Sequence, residues 1–190
     1  MEQVRATRLF AVADDPVDAE VVAAFRHACE SQLTAVFSYV RYRVQNADLA
    51  EELTNIVFVR ALERLPSFDA SRGELVHWIF RIARNVVTDH LRAQRRWSLV
   101  PIEWLSERGS SDATPEHAVA DSEVQDRLLR GLNQLRQRDR DVIGMKFGAC
   151  LTNRDIARVT GLTEGHVAVL VRRALDRLKT FLESHGVSHA

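Results

Sequence analysis

The sequence predicts an all-helical protein of two small domains, and three observations carry that prediction. Helix-favouring residues dominate the 190 positions, against only four prolines and eight glycines. Apolar residues recur at helical steps of three and four, and no well-formed alternating strand pattern occurs. At 46% apolar residues the chain can build real cores in one or two domains. The expected division is an N-terminal extension over 1–24, a helical domain over 25–97, a flexible acidic linker over 98–118, a second helical domain over 119–183 and a tail over 184–190.

The Asp14 to Pro16 step breaks any helix near the start, so residues 1–20 read as a loosely ordered extension. From about Val17 to Val44 a stripe of Val21, Ala24, Phe25, Ala28, Leu33, Val36, Phe37 and Val40 predicts a first helix, closed by Arg41 and Arg43. A second runs from about Asp48 to Leu65, with Leu49, Leu53, Val57, Ala61 and Leu65 inward, and Pro66 stops it. The loop from Pro66 to Gly73 is polar apart from Phe68, which reads as an exposed aromatic. A third helix extends from Glu74 to about Trp97. Leu75, Trp78, Ile79, Ile82, Val86 and Leu91 are expected inside, and His77, Arg81, Arg84, Asn85, Thr88, Arg92, Arg95 and Arg96 on a basic outer surface.

Residues 98–118 have linker composition, although their PIEWL piece suits docking on a partner. Helices from Val119 to Leu135 and from Asp139 to Phe147 then lead into the most informative stretch, Thr152 to Leu178. Thr152 can cap a helix, with Asp155 three places on to complete a capping box; Gly161 ends that helix and Thr163 caps the next. In this second helix Val167, Val171, Ala174 and Leu178 face inward, while Ala168, Val169, Arg172 and Arg173 point out, and Ala168-Val169-Leu170 reads as an apolar outer face. The pattern is that of a helix-turn-helix, whose second helix would enter a DNA major groove.

The formal charge is zero, with 26 basic and 26 acidic residues, which by itself argues against a nucleic-acid binder. Its distribution argues the other way. Residues 76–97 carry 5 basic and 1 acidic group and residues 127–183 carry 12 and 6, whereas 98–126 carry 1 and 7. Two basic blocks, each the electrostatic footprint of phosphate contact, flank an acidic connector. Cys29 and Cys150 lack any CxxC partner, so both are expected as small core residues in a reducing compartment, with no zinc site. No apolar run is long enough to span a bilayer and no signal peptide is evident, so a cytoplasmic protein without a membrane span is expected. Asp89 and His90 adjoin, but neighbours on a helix point about 100° apart. With no metal cluster, phosphate loop or nucleophile setting beside them, neither an enzyme nor a cofactor is expected.

Together AEELTNIVFVRAL at 50–62, LPSFDASRG at 65–73, HWIFRIARNVVTDHLR at 77–92 and LNQLRQRDRDVIGMKF before the helix-turn-helix resemble one family. It is the extracytoplasmic-function sigma factors, small two-domain initiation factors of bacterial RNA polymerase. The resemblance covers about residues 25–183, in the family's order and spacing. It implies a first domain that binds core RNA polymerase at the β′ clamp through Glu51, Glu52, Leu53, Asn55 and Ile56. Phe68, Asp69 and Ser71 would hold a base flipped from the minus-ten element, and Trp78, Arg81, Arg84, Asn85 and Arg92 would bind and melt the duplex. The second domain would touch the β flap and read the minus-thirty-five element of promoter DNA through Thr163, His166, Ala168, Val169, Arg172 and Arg173. An anti-sigma factor is the implied regulator.

Two departures stand out. The family usually shows V-K-S-R or V-R-S-R where this chain has Val167-Ala168-Val169-Leu170, and a Gln-Glu pair where it has Asn55-Ile56. Either base reading uses methyl contacts and the two arginines, or duplex affinity is weak. The alternative to a promoter-specificity factor is a helix-turn-helix repressor or activator that works without being a polymerase subunit. It predicts tight duplex binding by the chain alone.

Overall fold

The structure, a computed structural model, describes residues 19–97 and 119–185. Expectations for the extension up to residue 18, the acidic linker with its PIEWL piece, and the last five residues lie outside the described residues. The helices are α1 (Ala19–Val44), α2 (Ala47–Arg64), α3 (Leu75–Trp97), α4 (Val119–Gln134), α5 (Gln137–Ile143), α6 (Asn153–Thr160) and α7 (Glu164–Ser184). Among the described residues there is no strand.

Local chemistry sets the corners. Gln45 takes a left-handed φ of 59°, and Asn46 then caps α2 by accepting from the Leu49 N–H at 2.8 Å. Pro66 ends α2 in a short 3-10 turn, Leu65–Ser67, and a second such turn, Ala70–Arg72, follows. Gly73, at φ 140°, supplies the backbone turn into α3 that side chains disfavour.

The first three helices enclose Phe25, Val36, Tyr39 and Val40 from α1, Leu53, Val57 and Phe58 from α2, and Ile79, Phe80, Val86 and Val87 from α3. Tyr39 meets Phe80 edge to face, ring centroids 6.2 Å apart. Leu33, expected in the α1 stripe, is exposed. Each fully buried large side chain contributes about 1.5–3 kcal/mol of hydrophobic stabilisation.

In the second group Leu132, Leu135, Ile143, Ala174 and Leu178 form a smaller cluster between α4, α5 and α7. Gly131 marks the closest approach of α4 to α7: a Cβ there would meet Leu178 Cδ1 at 2.6 Å and Phe181 Cδ1 at 2.8 Å. The helix expected to run on to Phe147 instead widens after Ile143 into a π-helical turn, Gly144–Gly148. That turn lies against α1, and a Cβ on Gly148 would press on the Ser38 carbonyl oxygen at 3.1 Å. Its Met145, with Val142, Ile156, Val159, Val167 and Leu170, joins the apolar cluster of the first three helices. The two groups are therefore packed together, with α6 lying across α3.

Candidate nucleic-acid interface

The helix-turn-helix forms by the local signals its sequence carries. Asp155 N–H donates to Thr152 Oγ1 at 3.2 Å and Thr152 N–H donates back to Asp155 Oδ2 at 3.1 Å, which completes the capping box. Gly161, at φ 74°, turns the chain out of α6, and Thr163 Oγ1 accepts from the His166 N–H at 3.2 Å to cap α7. Ile156, Val159, Val167, Ala174 and Leu178 are buried beneath. Thr163, His166, Ala168, Arg172 and Arg173 are exposed, as is Val169 at 45%. Leu170 is not part of that surface. Three places after Val167 it falls on the inner stripe, and it is 8% exposed. Arg172 lies 4.0 Å from Asp176 in a fully solvated pair, which leaves its charge available to a phosphate.

A second surface is built where α2 turns into α3. Phe68 and Trp78 meet with centroids 5.5 Å apart and planes tilted by 59°. They line a cavity of about 960 Å³ together with Asp69, Ser71, Arg81 and, from α6, Arg158. Trp78, expected in the core, is half-buried at its edge, with its ring against Phe68. Asp69 Oδ1 accepts from the Ser71 N–H at 2.9 Å and from Ser71 Oγ at 2.6 Å. These bonds hold its carboxyl below the ordinary value and fix the loop around Phe68.

The polar face of α3 divides in two. Asn85 and Arg92 are exposed, with Arg92 4.0 Å from Asp89. His77, Arg81 and Arg84 are engaged by the C-terminal helices. Arg81 Nη2 donates to the Arg158 carbonyl at 2.8 Å, and Arg84 Nε donates to Asp141. His77, expected on the outer surface, is 4% exposed because α6 covers it, and its Nε2 lies 3.0 Å from Asp155 Oδ1.

Asp141, 4% exposed, also accepts from the Tyr39 hydroxyl and lies 3.4 Å from Arg43 Nε. Burial, reinforced by the Asp141 charge, pushes the Tyr39 hydroxyl well above its usual pKa. Burial pushes the Asp155 carboxyl up, but the hydrogen bonds from the Thr152 side chain, His77 and the Thr152 N–H outweigh it and hold the group below 3.8. Arg140 is lowered by burial and then by the neighbouring Arg43 and Arg95.

On α2, Glu51, Glu52 and Asn55 are exposed and Ile56 is half-buried. Leu53, expected beside them, is 4% exposed and packs into the core, since it lies on the inner step from Leu49 to Val57. Val59, 41% exposed, extends the outer patch and was missed. Its spacing of seven from Glu52 and four from Asn55 is the signal that finds it.

Cys29 is half-buried, its thiol pushed up to about 12 by burial and then by Glu30. Cys150, expected as a core residue, is exposed at a left-handed φ of 55°. Among the described residues no group of three His, Cys, Asp or Glu is placed to hold a metal, and no helix is long and apolar enough to cross a membrane.

Known proteins resemble this chain in sequence and in fold. The family description Sigma-70 region 2 matches residues 30–96, and Sigma-70, region 4 matches residues 131–180. The chain is 34% identical over 135 residues to the ECF RNA polymerase sigma factor RpoE of Cereibacter sphaeroides, covering 70% of this chain and 72% of that one. It is 30% identical over 159 residues to the ECF RNA polymerase sigma factor BldN of Streptomyces coelicolor, covering 84% of this chain and 60% of BldN. In fold it is similar to the sigma factor RpoE from Bartonella quintana, solved with the anti-sigma factor NepR. That match has a TM-score of 0.64 at 23% identity, over 84% of this chain and 96% of that one. CnrH, solved with the cytosolic domain of CnrY, gives a TM-score of 0.62 at 21% identity over 84% and 88%.

Proposed function

Because the chain belongs to the extracytoplasmic-function sigma factors of the sigma-70 family, we propose that it directs core RNA polymerase to promoters by binding their minus-ten and minus-thirty-five elements. One observation carries the reading: a single chain presents two different DNA-suited surfaces, an aromatic cavity beside a basic helix and a capped helix-turn-helix. In this reading residues 25–97 form the region that binds polymerase and opens DNA, and residues 119–183 the region that reads duplex.

Opening needs no catalytic group. Each base step costs about 1.4 kcal/mol of stacking to separate, and an aromatic platform returns about 1–3 kcal/mol per unstacked base. Phe68 and Trp78 supply the platform, Asp69 and Ser71 shape the loop that admits a base, and Arg81, Arg84, Asn85 and Arg92 take the backbone. On α7, Thr163 and His166 lie at the helix N-terminus, Ala168 and Val169 offer methyl contacts to thymine, and Arg172 and Arg173 neutralise phosphates. Glu51, Glu52, Asn55 and Ile56, with Val59, form the surface for the β′ clamp, and the C-terminal domain meets the β flap. Holding both elements through one linker raises affinity by effective concentration. An anti-sigma factor covering these surfaces in the cytoplasm completes the reading.

Reconstitution tests it. The purified chain is mixed with core polymerase and the DNA fragments recovered with it from cells, and transcription starts are mapped. Starts that depend on the chain are expected, and Trp78→Ala should abolish most of them while leaving duplex binding in place. Tight duplex binding by the chain alone, with no dependent starts, would favour the repressor or activator.

A further inference from the structure

Where the end of α1 meets α5, buried positive charge exceeds buried negative charge. The Arg43 side chain is fully enclosed, and the carboxylate beside it is that of Asp141, 3.4 Å from its Nε. Asp141 is already shared: its Oδ1 accepts from the Tyr39 hydroxyl and its Oδ2 from Arg84 Nε. Arg140 precedes it on α5. Gly144, one helical turn after Arg140 and on the same face, lies against Arg43, where an added Cβ would sit 3.4 Å from Arg43 Cδ. Arg140 Nη1 is spent on Asn133 Oδ1 at 3.0 Å, and Asn133 Nδ2 donates at 3.2 Å to Gln45, two places after Arg43.

The remaining guanidinium nitrogens are the unusual feature. Arg43 Nε, Nη1 and Nη2 and Arg140 Nε are all buried without an acceptor among the described residues. Were Arg43 Nε to close on Asp141, the other three would still be unmet. Water can satisfy such donors, but it cannot balance their charge, and one carboxylate divided between Arg43 and Arg84 leaves Arg140 with none. An anion does both.

We propose that the seam between Arg43 of α1 and Arg140 of α5 holds one small inorganic anion of halide size, such as chloride. Its size follows from the packing: a Cβ on Gly144 would already stand 3.2 Å from Tyr42 Cδ1 and 3.4 Å from Tyr39 Cδ2, so a single-atom ion suits the seam better than a phosphate. Its charge follows from burial, which disfavours a dianion more than a monoanion. The same ion would relieve Arg140, which burial and then the charges of Arg43 and Arg95 hold below its ordinary pKa. The site stands apart from the DNA-suited surfaces and does not depend on what they bind.

Urea unfolding of the full-length chain tests it, with sodium chloride exchanged for sodium gluconate at one fixed ionic strength. Gluconate matches the screening but is too large for the seam. The wild-type midpoint should rise as chloride replaces gluconate, the folded-to-unfolded ratio gaining about tenfold for each tenfold of free chloride above its dissociation constant. Arg140→Gln, which removes the unmet Nε and one charge, should lose most of that gain. Arg138→Gln, an exposed arginine on the same helix, should keep it. No chloride-specific gain in wild type, or the same gain in Arg140→Gln, would overturn the site. If Arg140→Gln does not fold, wild-type crystals grown in sodium bromide decide: an anomalous peak in contact with Arg43 and Arg140 is expected, and water alone on those nitrogens would overturn it.

Discussion

The two helical groups bury apolar surface in different ways. Residues 19–97 surround their own core, with Phe25, Tyr39, Phe80, Ile79 and Leu65 all fully enclosed. Residues 119–185 bury only Leu132, Leu135, Ile143, Ala174 and Leu178 in a cluster of their own, against which Tyr42 of α1 packs, and turn Met145, Ile156, Val167 and Leu170 towards the first group. A small domain buries a low fraction of its surface, so one that leans on a neighbour gains what it cannot supply alone. The contrast teaches that the C-terminal group is held partly by the N-terminal one, across the α3 face that carries His77, Arg81 and Arg84.

Five substitutions sharpen or break that contrast. The largest effect is expected for Phe80→Ala, about 4 kcal/mol in urea unfolding of the full chain, against about 2 kcal/mol for Leu132→Ala in the smaller cluster. Equal losses would show that the two cores are matched after all. Asp141→Ala removes the carboxylate shared by Arg43 and Arg84 and should cost about 3 kcal/mol, read as a fall in the same unfolding midpoint. Thr152→Ala removes one half of the capping box and should cost about 1 kcal/mol, with faster amide exchange confined to the first turn of α6.

The smallest effect is an acid one. The Asp155 carboxyl is depressed in the folded chain, so the stability it adds is present at pH values above its ordinary 3.8 and is lost as the pH falls through the lower folded value. The stability difference between wild type and Asp155→Asn should therefore shrink on acidification below pH 3.8 and stay level above it. Urea unfolding at a series of pH values checks both limbs.

Local features were legible from residues alone. The Thr152–Asp155 box, the left-handed Gly161 and the Thr163 cap depend on neighbours within four positions, and the sequence names those neighbours directly. Leu53 was read as inward from its helical step and is buried, which conflicts with its expected polymerase contact, and Leu170 was legible in principle, since counting three places from Val167 puts it inside. His77 was not, because the group that buries it, Asp155, lies 78 residues along the chain. Nor was the role of Asp141, which reads as one more charge in a basic segment until Tyr39, Arg43 and Arg84 are seen around it. The π-helical turn escaped for a similar reason: Gly144 and Gly148 acquire meaning only against Tyr42 and Ser38 of α1.

At Gly131 the missing side chain lets α4 press directly on Leu178 and Phe181, in the C-terminal half of α7. The same uninterrupted helix, 21 residues and roughly 30 Å long, carries Thr163 to Arg173 at its other end. A side chain placed at position 131 would therefore tilt the whole rod and displace its far end, with Thr163 to Arg173, relative to α6.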